Sequence, residues 1–262
     1  MNEIIDLEIM QLAVAYIFVI VLLTIVKYRK IDREKEILIA SIRMTLQLIL
    51  TGYVLSYLFD NPNPILVIAV FLLMQIFAIS NILKRVKHSI NPSLKKIIIF
   101  SMFIGTTITL MFFIIAIVRL SPWYDPRYFI PLAGMLVGNA MTGISLGVNH
   151  LISGMKKQRD KVEGALMLGA TPKEASKPVV NEAFDSAFLP TINSMVGMGI
   201  VFLPGMMTGQ ILSGISPFMA IKYQIAIMLG ILGSVTLTVI LFVSLGYKTF
   251  FNKEYQMIEE DH

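Results

Sequence analysis

The chain has 262 residues, of which 56% are hydrophobic and 15% are charged, and its mean hydropathy is +0.75. Soluble domains carry fewer apolar residues and about a quarter charged ones, so this composition excludes an ordinary soluble protein and indicates an integral membrane protein. The net charge of +5 does not indicate nucleic-acid binding, because the basic residues fall in short loops beside apolar segments, and the lack of cysteine excludes disulfides and thiolate sites.

Seven apolar segments are long enough to cross a membrane as helices of about 20 residues. They cover residues 7–26, 37–59, 65–83, 97–118, 129–152, 190–212 and 218–247. Acidic rather than basic residues precede the first segment, so we expect a retained span and not a cleaved signal peptide. The predicted fold is all-α: a polytopic membrane protein in which residues 1–262 form a single transmembrane domain.

Basic residues are concentrated in alternate loops, and this sets the predicted orientation. The first, third and fifth loops and the C-terminal segment hold most of the 22 lysines and arginines, whereas the other loops hold only Arg119, Arg127 and Lys222. By the positive-inside rule the N-terminus lies outside and the C-terminus in the cytoplasm, which agrees with an odd number of spans. We therefore predict a multi-pass protein of the inner or plasma membrane, in contact with the lipid bilayer and with no nucleic-acid partner.

The fifth loop, residues 156–189, is too structured for a simple connection. The pattern of residues 156–168 predicts a short amphipathic helix, and Gly169 suits its C-terminal cap. Thr171, Pro172 and Glu174 predict the start of a second short helix, which Pro178 is expected to kink or end. The pattern alone is compatible with a helix lying on anionic lipid and with a docking element for a partner protein.

Motifs in this loop and in the flanking spans resemble one family. Glu163-Gly164-Ala165 followed by Gly169 resembles the E-A-A-x-x-x-G core of the cytoplasmic loop in ABC transporter permeases, with Gly164 in place of the middle alanine. Segments 134–141, 189–195 and 203–210 extend the resemblance over most of the chain. Together they make it similar to the FetB-type iron-export ABC permeases, a family that also includes plant aluminium-tolerance and nucleotide-sugar permease subunits.

The resemblance implies a permease subunit that pairs with a separate ABC ATP-binding subunit, as a homodimer within a two-plus-two complex. It also implies export of iron or another metal ion. The chain has no G-x-x-x-x-G-K-[ST] loop to hold ATP phosphates, so we expect ATP and Mg in the partner and neither cofactors nor catalytic residues here. A stand-alone channel or secondary carrier, a membrane anchor of a regulatory ATPase, and a nucleotide-sugar or other small-molecule cargo remain alternatives.

The resemblance further implies that the ATP-binding subunit docks on residues 157–175. Apolar side chains of the first loop helix would supply the contact, and its charged side chains would set the orientation. The expected coupling residues are Lys157, Arg159, Lys161, Val162, Glu163, Ala165, Leu166, Leu168, Gly169, Ala170, Thr171 and Pro172.

The fifth and sixth spans carry features of helices near a transport pathway. The pairs Gly134/Gly138 and Gly143/Gly147 lie on opposite faces of span five, which predicts close packing on both sides, either static or mobile. Pro204 predicts a break in span six near mid-membrane. The methionines around it suit soft metals such as copper(I) rather than iron(II), but packing alone also explains them in so apolar a chain, and metal ligands stay unknown.

Polar side chains near the spans complete the set of candidates. Arg43 begins a polar stripe on span two and either lines a pathway or extends to the membrane interface. Glu182 and Asp185 either pair with Arg43 or meet a cation, or are simply solvated. His88, His150 and His262 do not form a metal centre. The candidate pathway residues are Arg43, Gln47, Glu182, Asp185, Asn193, Met195, Met198, Met206, Met207 and Gln210.

Overall fold

The structure is a computed structural model that describes residues 7–86 and 90–258, and all regular secondary structure in these ranges is helical. In chain order the helices are α1 (Ile9–Ala15), α2 (Ile17–Tyr28), α3 (Glu34–Asp60), α4 (Pro64–Arg85), α5 (Pro92–Phe112), α6 (Pro126–Lys157), α7 (Arg159–Met167), α8 (Pro172–Gly197), α9 (Gly205–Leu212) and α10 (Pro217–Gly246). A π-helical turn, Phe113–Val118, prolongs α5, and a 3-10 turn, Tyr247–Phe250, prolongs α10.

Five of these helices begin with the same local chemistry, a polar cap followed directly by proline. The caps are Asn63, Asn91, Asp125, Thr171 and Ser216, and each side chain accepts a hydrogen bond from a backbone N–H in the first turn. Proline has no N–H to leave unsatisfied at the first helical position, and its fixed φ suits the helix. The sequence therefore defines where α4, α5, α6, α8 and α10 start.

Six helical segments in the described ranges are long and apolar enough to cross a membrane. They are Ile9–Tyr28, Glu34–Asp60, Pro64–Arg85, Pro92–Val118, Pro126–Lys157 and Pro217–Phe250. They match six of the seven predicted spans and confirm the all-α, polytopic fold. The orientation stays a prediction, and Lys87, His88 and His262 lie outside the described residues.

The remaining predicted span, residues 190–212, is divided between two helices. Helix α8 ends at Gly197, a turn follows, and α9 begins at Gly205. Within the turn Gly199 has a φ of +84°, and its N–H donates to the carbonyl of Phe202 at 2.9 Å. The predicted break near Pro204 is present, and it starts earlier than proline alone would place it because the left-handed backbone at Gly199 ends α8.

The described residues form two compact units. The first comprises residues 7–62 and 212–214 and holds α1–α3. Within it α2 packs against α3, and the hydroxyls of Tyr16 and Thr45 share a hydrogen bond. The second comprises residues 63–211 and 215–258, apart from 87–89, and holds the helices from α4 onward.

Helix α6 is the centre of the second unit. It packs against α8, α10, α4 and α5, and α10 also packs along α5. At Gly143 an added Cβ would lie 3.0 Å from a methyl group of Val235 and 3.4 Å from the carbonyl oxygen of Ala187. Because glycine removes that obstacle, α8 and α10 both approach α6 closely.

The other predicted glycine face of α6 is different. A Cβ built at Gly134 or Gly138 meets no heavy atom of the described chain within 4 Å. The prediction of close packing on both sides of this helix is therefore wrong for the single chain. The Gly143/Gly147 face is packed, and the Gly134/Gly138 face is open. The spacing of glycines indicates where helices can approach but not whether a neighbour is present.

Candidate coupling elbow and membrane cavity

Helices α6 and α8 are joined by an elbow, which we define as residues 158–171 and which contains α7. The elbow starts at Gln158, whose backbone leaves the helical conformation while its N–H still donates to the carbonyl of Gly154 at 2.9 Å. The side-chain amide of Gln158 donates to a carboxylate oxygen of Glu182 at 3.1 Å. This contact joins the start of the elbow to Glu182, about three turns into α8.

Backbone caps close the elbow at both of its turns. Gly169, with φ of +91°, ends α7: its N–H donates to the carbonyl of Leu166 at 2.9 Å, and the N–H of Ala170 donates to that of Ala165 at 3.0 Å. This pair of hydrogen bonds is a Schellman motif, which satisfies carbonyls that a helix end otherwise leaves open. The prediction that Gly169 ends the first helix of the loop is confirmed.

The predicted start of α8 is also confirmed in atomic detail. The N–H of Thr171 donates to a carboxylate oxygen of Glu174 at 2.9 Å, and the N–H of Glu174 donates to the hydroxyl of Thr171 at 3.3 Å. The backbone hydrogen bond from Thr171, and then that of its hydroxyl, hold the pKa of Glu174 below its usual range. A lowered carboxyl pKa means that this cap is complete at neutral pH and is lost only as the pH falls through the lowered value.

The apolar side chains of the elbow divide into an inner and an outer set. Val162 is 2% exposed, and α7 packs on α8, so this residue anchors the helix inside the chain. Its side chain therefore faces the inside of the chain, and its predicted contact with a partner stays a prediction. Leu168 is 91% exposed and Met167 is 85% exposed, so these two neighbours form the outer tip. Met167 is not among the residues predicted from the sequence, although it lies beside Leu168 at the end of the helix.

The charged predicted coupling residues are not buried. Arg159 and Glu163 of α7 form an ion pair of 2.7 Å one helical turn apart, while Lys161 of α7 and Lys157, the last residue of α6, are exposed. Such partly exposed pairs contribute about 0.5 kcal/mol or less to a helix. The ion pair mainly fixes which charges the outer surface of α7 presents.

The other predicted coupling residues lie in the same elbow. Ala165, Leu166, Ala170 and Pro172 are half-buried, and Thr171 is exposed beside them. The elbow thus brings all twelve predicted coupling residues together within one short segment and its two flanking turns, and buries only Val162 among them.

Helix α8 is longer than predicted. It is continuous over 26 residues, so Pro178 does not end it, and the second of the two short helices expected from the sequence is instead a long one. A Cβ at Gly154 of α6 would lie 2.6 Å from a methyl group of Val179, the residue after this proline. Close packing against α6 compensates for the hydrogen bond that proline removes from the helix.

A cavity of about 430 Å³ lies at the far end of α8. Its wall contains the methionines Met195 from the last turn of α8, Met198 directly after that helix, Met207 from α9 and Met228 from α10. Gln224 of α10 is buried in the same wall, and its amide nitrogen lies 3.7 Å from the sulfur of Met198. The rest of the lining is glycine and aliphatic side chains.

The structure collects only some of the candidate pathway residues at this cavity. Met195, Met198 and Met207 line it, whereas Met206 and Gln210 are half-buried on α9 outside the lining. Gln224 and Met228 also line the cavity and are not among the residues predicted from the sequence. They lie one turn apart on α10, but nothing in the sequence indicates that this face of α10 meets the end of α8.

The acidic and basic candidates are not among the residues that line this cavity. Glu182 precedes Met195 by about 20 Å along α8 and belongs to the elbow junction through Gln158. Arg43 and Gln47 are exposed on α3, in the other unit. The described residues contain no group of three or more histidine, aspartate or glutamate side chains placed to hold a metal ion.

Asp185 and Asn193 complete the set of candidate residues. Both are exposed on α8 and neither lines the cavity. His150 is exposed on α6, before its last turns.

Two glycines of the elbow are expected to respond in opposite ways to alanine. Gly164 lies inside α7 with free space around its Cβ position, so Gly164→Ala should stabilise the helix by up to about 1 kcal/mol. Gly169 also has free space, but its positive φ should make Gly169→Ala cost about 1 kcal/mol. Hydrogen exchange of peptides covering 158–171, measured by mass spectrometry, should slow in the first variant and accelerate in the second. Equal rates in both would contradict the capped elbow.

Comparison with known proteins gives full-length matches. The profile of the uncharacterised protein family UPF0014 matches residues 9–251. The "Probable iron export permease protein FetB" of Escherichia coli (strain K12) is 34% identical over 248 residues, which cover 95% of this chain and 94% of that protein. "Protein ALUMINUM SENSITIVE 3" of Arabidopsis thaliana is 36% identical over 244 residues, which cover 93% of this chain and 88% of that protein.

A third relative is matched over its whole length. The "UPF0014 membrane protein YjkA" of Bacillus subtilis (strain 168) is 32% identical over 258 residues, which cover 97% of this chain and 100% of that protein. No solved structure gives a significant match.

Proposed function

This chain belongs to the UPF0014 family of membrane proteins, and we propose that it is the permease subunit of an ATP-driven exporter whose ATP-binding subunit docks on residues 157–175. The observation that carries the proposal is the capped elbow between α6 and α8. Its inner residue Val162 holds it to the chain, while Met167 and Leu168 point away from the chain. A simple connection between spans needs no such exposed apolar tip.

Docking at the elbow would act on the membrane helices through α8. Helix α7 packs on α8, and Gln158 bonds to Glu182 within α8, so a push on the elbow is transmitted to the start of that helix. The helix runs without interruption to Gly197, a length of about 39 Å for its 26 residues. Closure of an ATPase dimer would therefore shift Met195 and Met198 and change the shape of the cavity.

The open face of α6 supports the proposal that two copies of the chain associate within a two-plus-two complex. Gly134 and Gly138 leave room for a close neighbour, and Asn139 and Thr142 are exposed beside them. Small residues at this spacing allow two membrane helices to approach closely, and the polar side chains would add hydrogen bonds between them. We place the contact between the two permease copies, or the pathway between them, at this face.

The proposed cargo is iron or another metal ion, and the proposed direction is export. Both rest on the relative named as an iron export permease, which matches nearly the whole of this chain. The proposed energy source is ATP bound with Mg by the partner, which would act from the cytoplasmic side predicted by the positive charges of the elbow.

The proposal is tested by reconstitution with a partner. We expect the chain, co-expressed with the candidate ATP-binding subunit from the same genome, to purify as a complex whose ATP hydrolysis exceeds that of the subunit alone. Glu163→Lys should reduce the stimulation, because it reverses a charge on the docking surface. Glu163→Gln is the matched control: it also removes the weak ion pair with Arg159 but introduces no positive charge, so most of the stimulation should remain.

Transport is measured in vesicles that present the elbow to the outside. ATP outside the vesicles should drive uptake of iron(II), and an ATPase-dead partner should not. A chain that forms no complex and moves solute in liposomes by itself would contradict the proposal and favour a channel or secondary carrier. A complex that hydrolyses ATP but moves no solute would instead favour a membrane anchor for a regulatory ATPase.

A further inference from the structure

The exposed side of α6 differs in chemistry from that of the neighbouring membrane helices. Between residues 132 and 153, α6 exposes three side chains, and all are polar: Asn139, Thr142 and His150. The exposed side chains of α4 over 65–83 and of α5 over 97–112 are all alanine, isoleucine, leucine or phenylalanine. The surfaces of α4 and α5 therefore suit lipid, whereas polar groups on a membrane-spanning helix are costly where they face hydrocarbon.

These residues belong to one row along the helix. Intervals of three or four residues place five side chains on one face: Asn139, Thr142, Leu146, His150 and Ser153. We call the four polar members of this set the polar row; Leu146 is half-buried between them. Asn139 and Thr142 flank the midpoint of the 32-residue helix, and His150 and Ser153 lie nearer its last residue, Lys157. The polar row therefore extends from the middle of the helix toward the elbow.

Hydrogen bonds within α6 determine which atoms the polar row presents. One amide N–H of Asn139 donates to the carbonyl of Met135 at 2.8 Å, and the hydroxyl of Thr142 donates to the carbonyl of Gly138 at 3.2 Å. A hydroxyl has a single proton, so Thr142 presents oxygen lone pairs to its exposed side, and the acceptor oxygen of Asn139 is turned away from the carbonyl that its nitrogen contacts. Such oxygens suit cations and the water molecules around them.

Two carboxylates lie at the level of the elbow end of the polar row. Segment 147–154 of α6 runs alongside segment 179–187 of α8, because a Cβ added at either end of the first segment would meet side chains of the second at 2.6–3.5 Å. The first segment contains His150, and the second contains Glu182 and Asp185, all three exposed. The lysines of both helices lie further toward the elbow, so the two carboxylates stand between those charges and the middle of the membrane. Carboxylates attract cations and repel anions.

The open glycines of α6 do not belong to the polar row. From the helical period, Gly134 and Gly138 lie about 100° around the helix from it. A second copy of the chain that packs on these glycines would leave the polar row beside the contact and not within it. Polar side chains of membrane helices that face no packed neighbour line water-filled cavities.

We propose that the polar row lines a water-filled pathway beside the contact between two copies of the chain, and that a divalent cation crosses the membrane along it with its water shell. This inference rests on the proposed function and names the residues of its pathway. Successive members of the row are about one or two helical turns apart, so each would contact the water around a passing ion without surrounding it. The imidazole and carboxylates at the elbow end are groups that iron(II) accepts as ligands.

The chain has no cysteine, so single cysteines can report where water reaches it. The test variants are Asn139→Cys and Thr142→Cys. The matched controls are Leu73→Cys on α4 and Phe103→Cys on α5, which are also exposed near the middle of a membrane helix but belong to apolar faces. Membrane vesicles that contain the full chain are treated with charged, water-soluble methanethiosulfonates, and the labelled fraction is followed by mass spectrometry.

Both test variants are expected to react at least about tenfold faster than the controls. The thiolate is the reacting form, and each unit by which an apolar environment raises the pKa of a thiol lowers the thiolate fraction about tenfold. A positively charged reagent should react faster than a negatively charged one of similar size, because the oxygens and carboxylates of this pathway favour cations.

Three results would overturn the inference. Labelling of the test variants no faster than that of the controls would mean that water does not reach the polar row. Faster reaction with the negatively charged reagent would contradict a cation pathway. Disulfides between copies at both test positions, without labelling, would make the polar row a packed contact instead.

The labelling requires neither ATP nor the ATP-binding subunit, so its outcome is separate from the test of the exporter. A chain that stimulates its partner but is not labelled along the polar row contradicts only this pathway. A chain that is labelled there but docks no ATPase supports the pathway and contradicts only the proposed exporter.

Discussion

Replacing Met167 and Leu168 together with aspartate is expected to abolish docking of the ATP-binding subunit while leaving the membrane helices folded. These side chains are 85% and 91% exposed, so they contribute little to packing within the chain. Burying each against a partner would contribute about 1.5–3 kcal/mol, so the loss of both should weaken binding by about two to four powers of ten. The affinity of purified ATP-binding subunit for the chain in nanodiscs measures the effect.

Controls in the same elbow separate docking from folding. Exchanging the two residues, Met167→Leu with Leu168→Met, keeps both apolar and should preserve binding. Val162→Ala should act oppositely to the aspartates: this residue is buried, so the variant should lose about 1.5 kcal/mol of stability in the elbow but keep the docking tip. Unchanged affinity in the double aspartate variant would show that the partner docks on another surface.

The elbow shows how far local chemistry can be predicted from the sequence. The stop at Gly169 and the start at Thr171 depend on hydrogen bonds between residues a few positions apart, and both are as expected. Whether α8 continues beyond Pro178 depends instead on contacts with α6, which the sequence does not reveal. A proline that would end an isolated helix is tolerated where a neighbouring helix packs against it.

The same limit applies to the membrane helices. Glycine spacing identifies two faces of α6, but only the structure shows that Gly143 meets α8 and α10 while Gly134 meets no neighbour within the chain. The methionines of residues 195–207 stand out in the sequence as a cluster. The cavity appears only when Gln224 and Met228 of α10 are placed opposite them, and that placement is a long-range contact.

One helix unites the two parts of the site. The capped elbow and the cavity lined by methionines are at opposite ends of α8. Gln158 and Thr171 form hydrogen bonds near the start of this helix, and the left-handed backbone of Gly199 follows its end. A mechanism in which ATP acts at one end and cargo at the other therefore needs no additional moving part between them. It needs the packing of α6, α8 and α10 to stay intact while α8 shifts.

Gly105→Ala is accordingly expected to destabilise the helix packing more than any comparable glycine change on an open face. An added Cβ at Gly105 on α5 would lie 2.6 Å from the hydroxyl oxygen of Thr238 and 2.8 Å from its Cα on α10. Because the second of these atoms belongs to the backbone, the helices must separate, at a cost of about 1–3 kcal/mol. Recovery of monodisperse protein by size-exclusion chromatography after heating measures the loss.

Gly134→Ala provides the matched control for this prediction. Both substitutions exchange glycine for alanine inside a long helix and so share the same gain in helix propensity, about 1 kcal/mol or less. Only Gly105 meets a neighbouring backbone, so the difference between the two variants isolates the clash between α5 and α10. Midpoints that shift equally would contradict the close approach of these helices. A lower midpoint for Gly105→Ala beside an unchanged or higher one for Gly134→Ala would establish that α5 and α10 form a tightly packed part of the core.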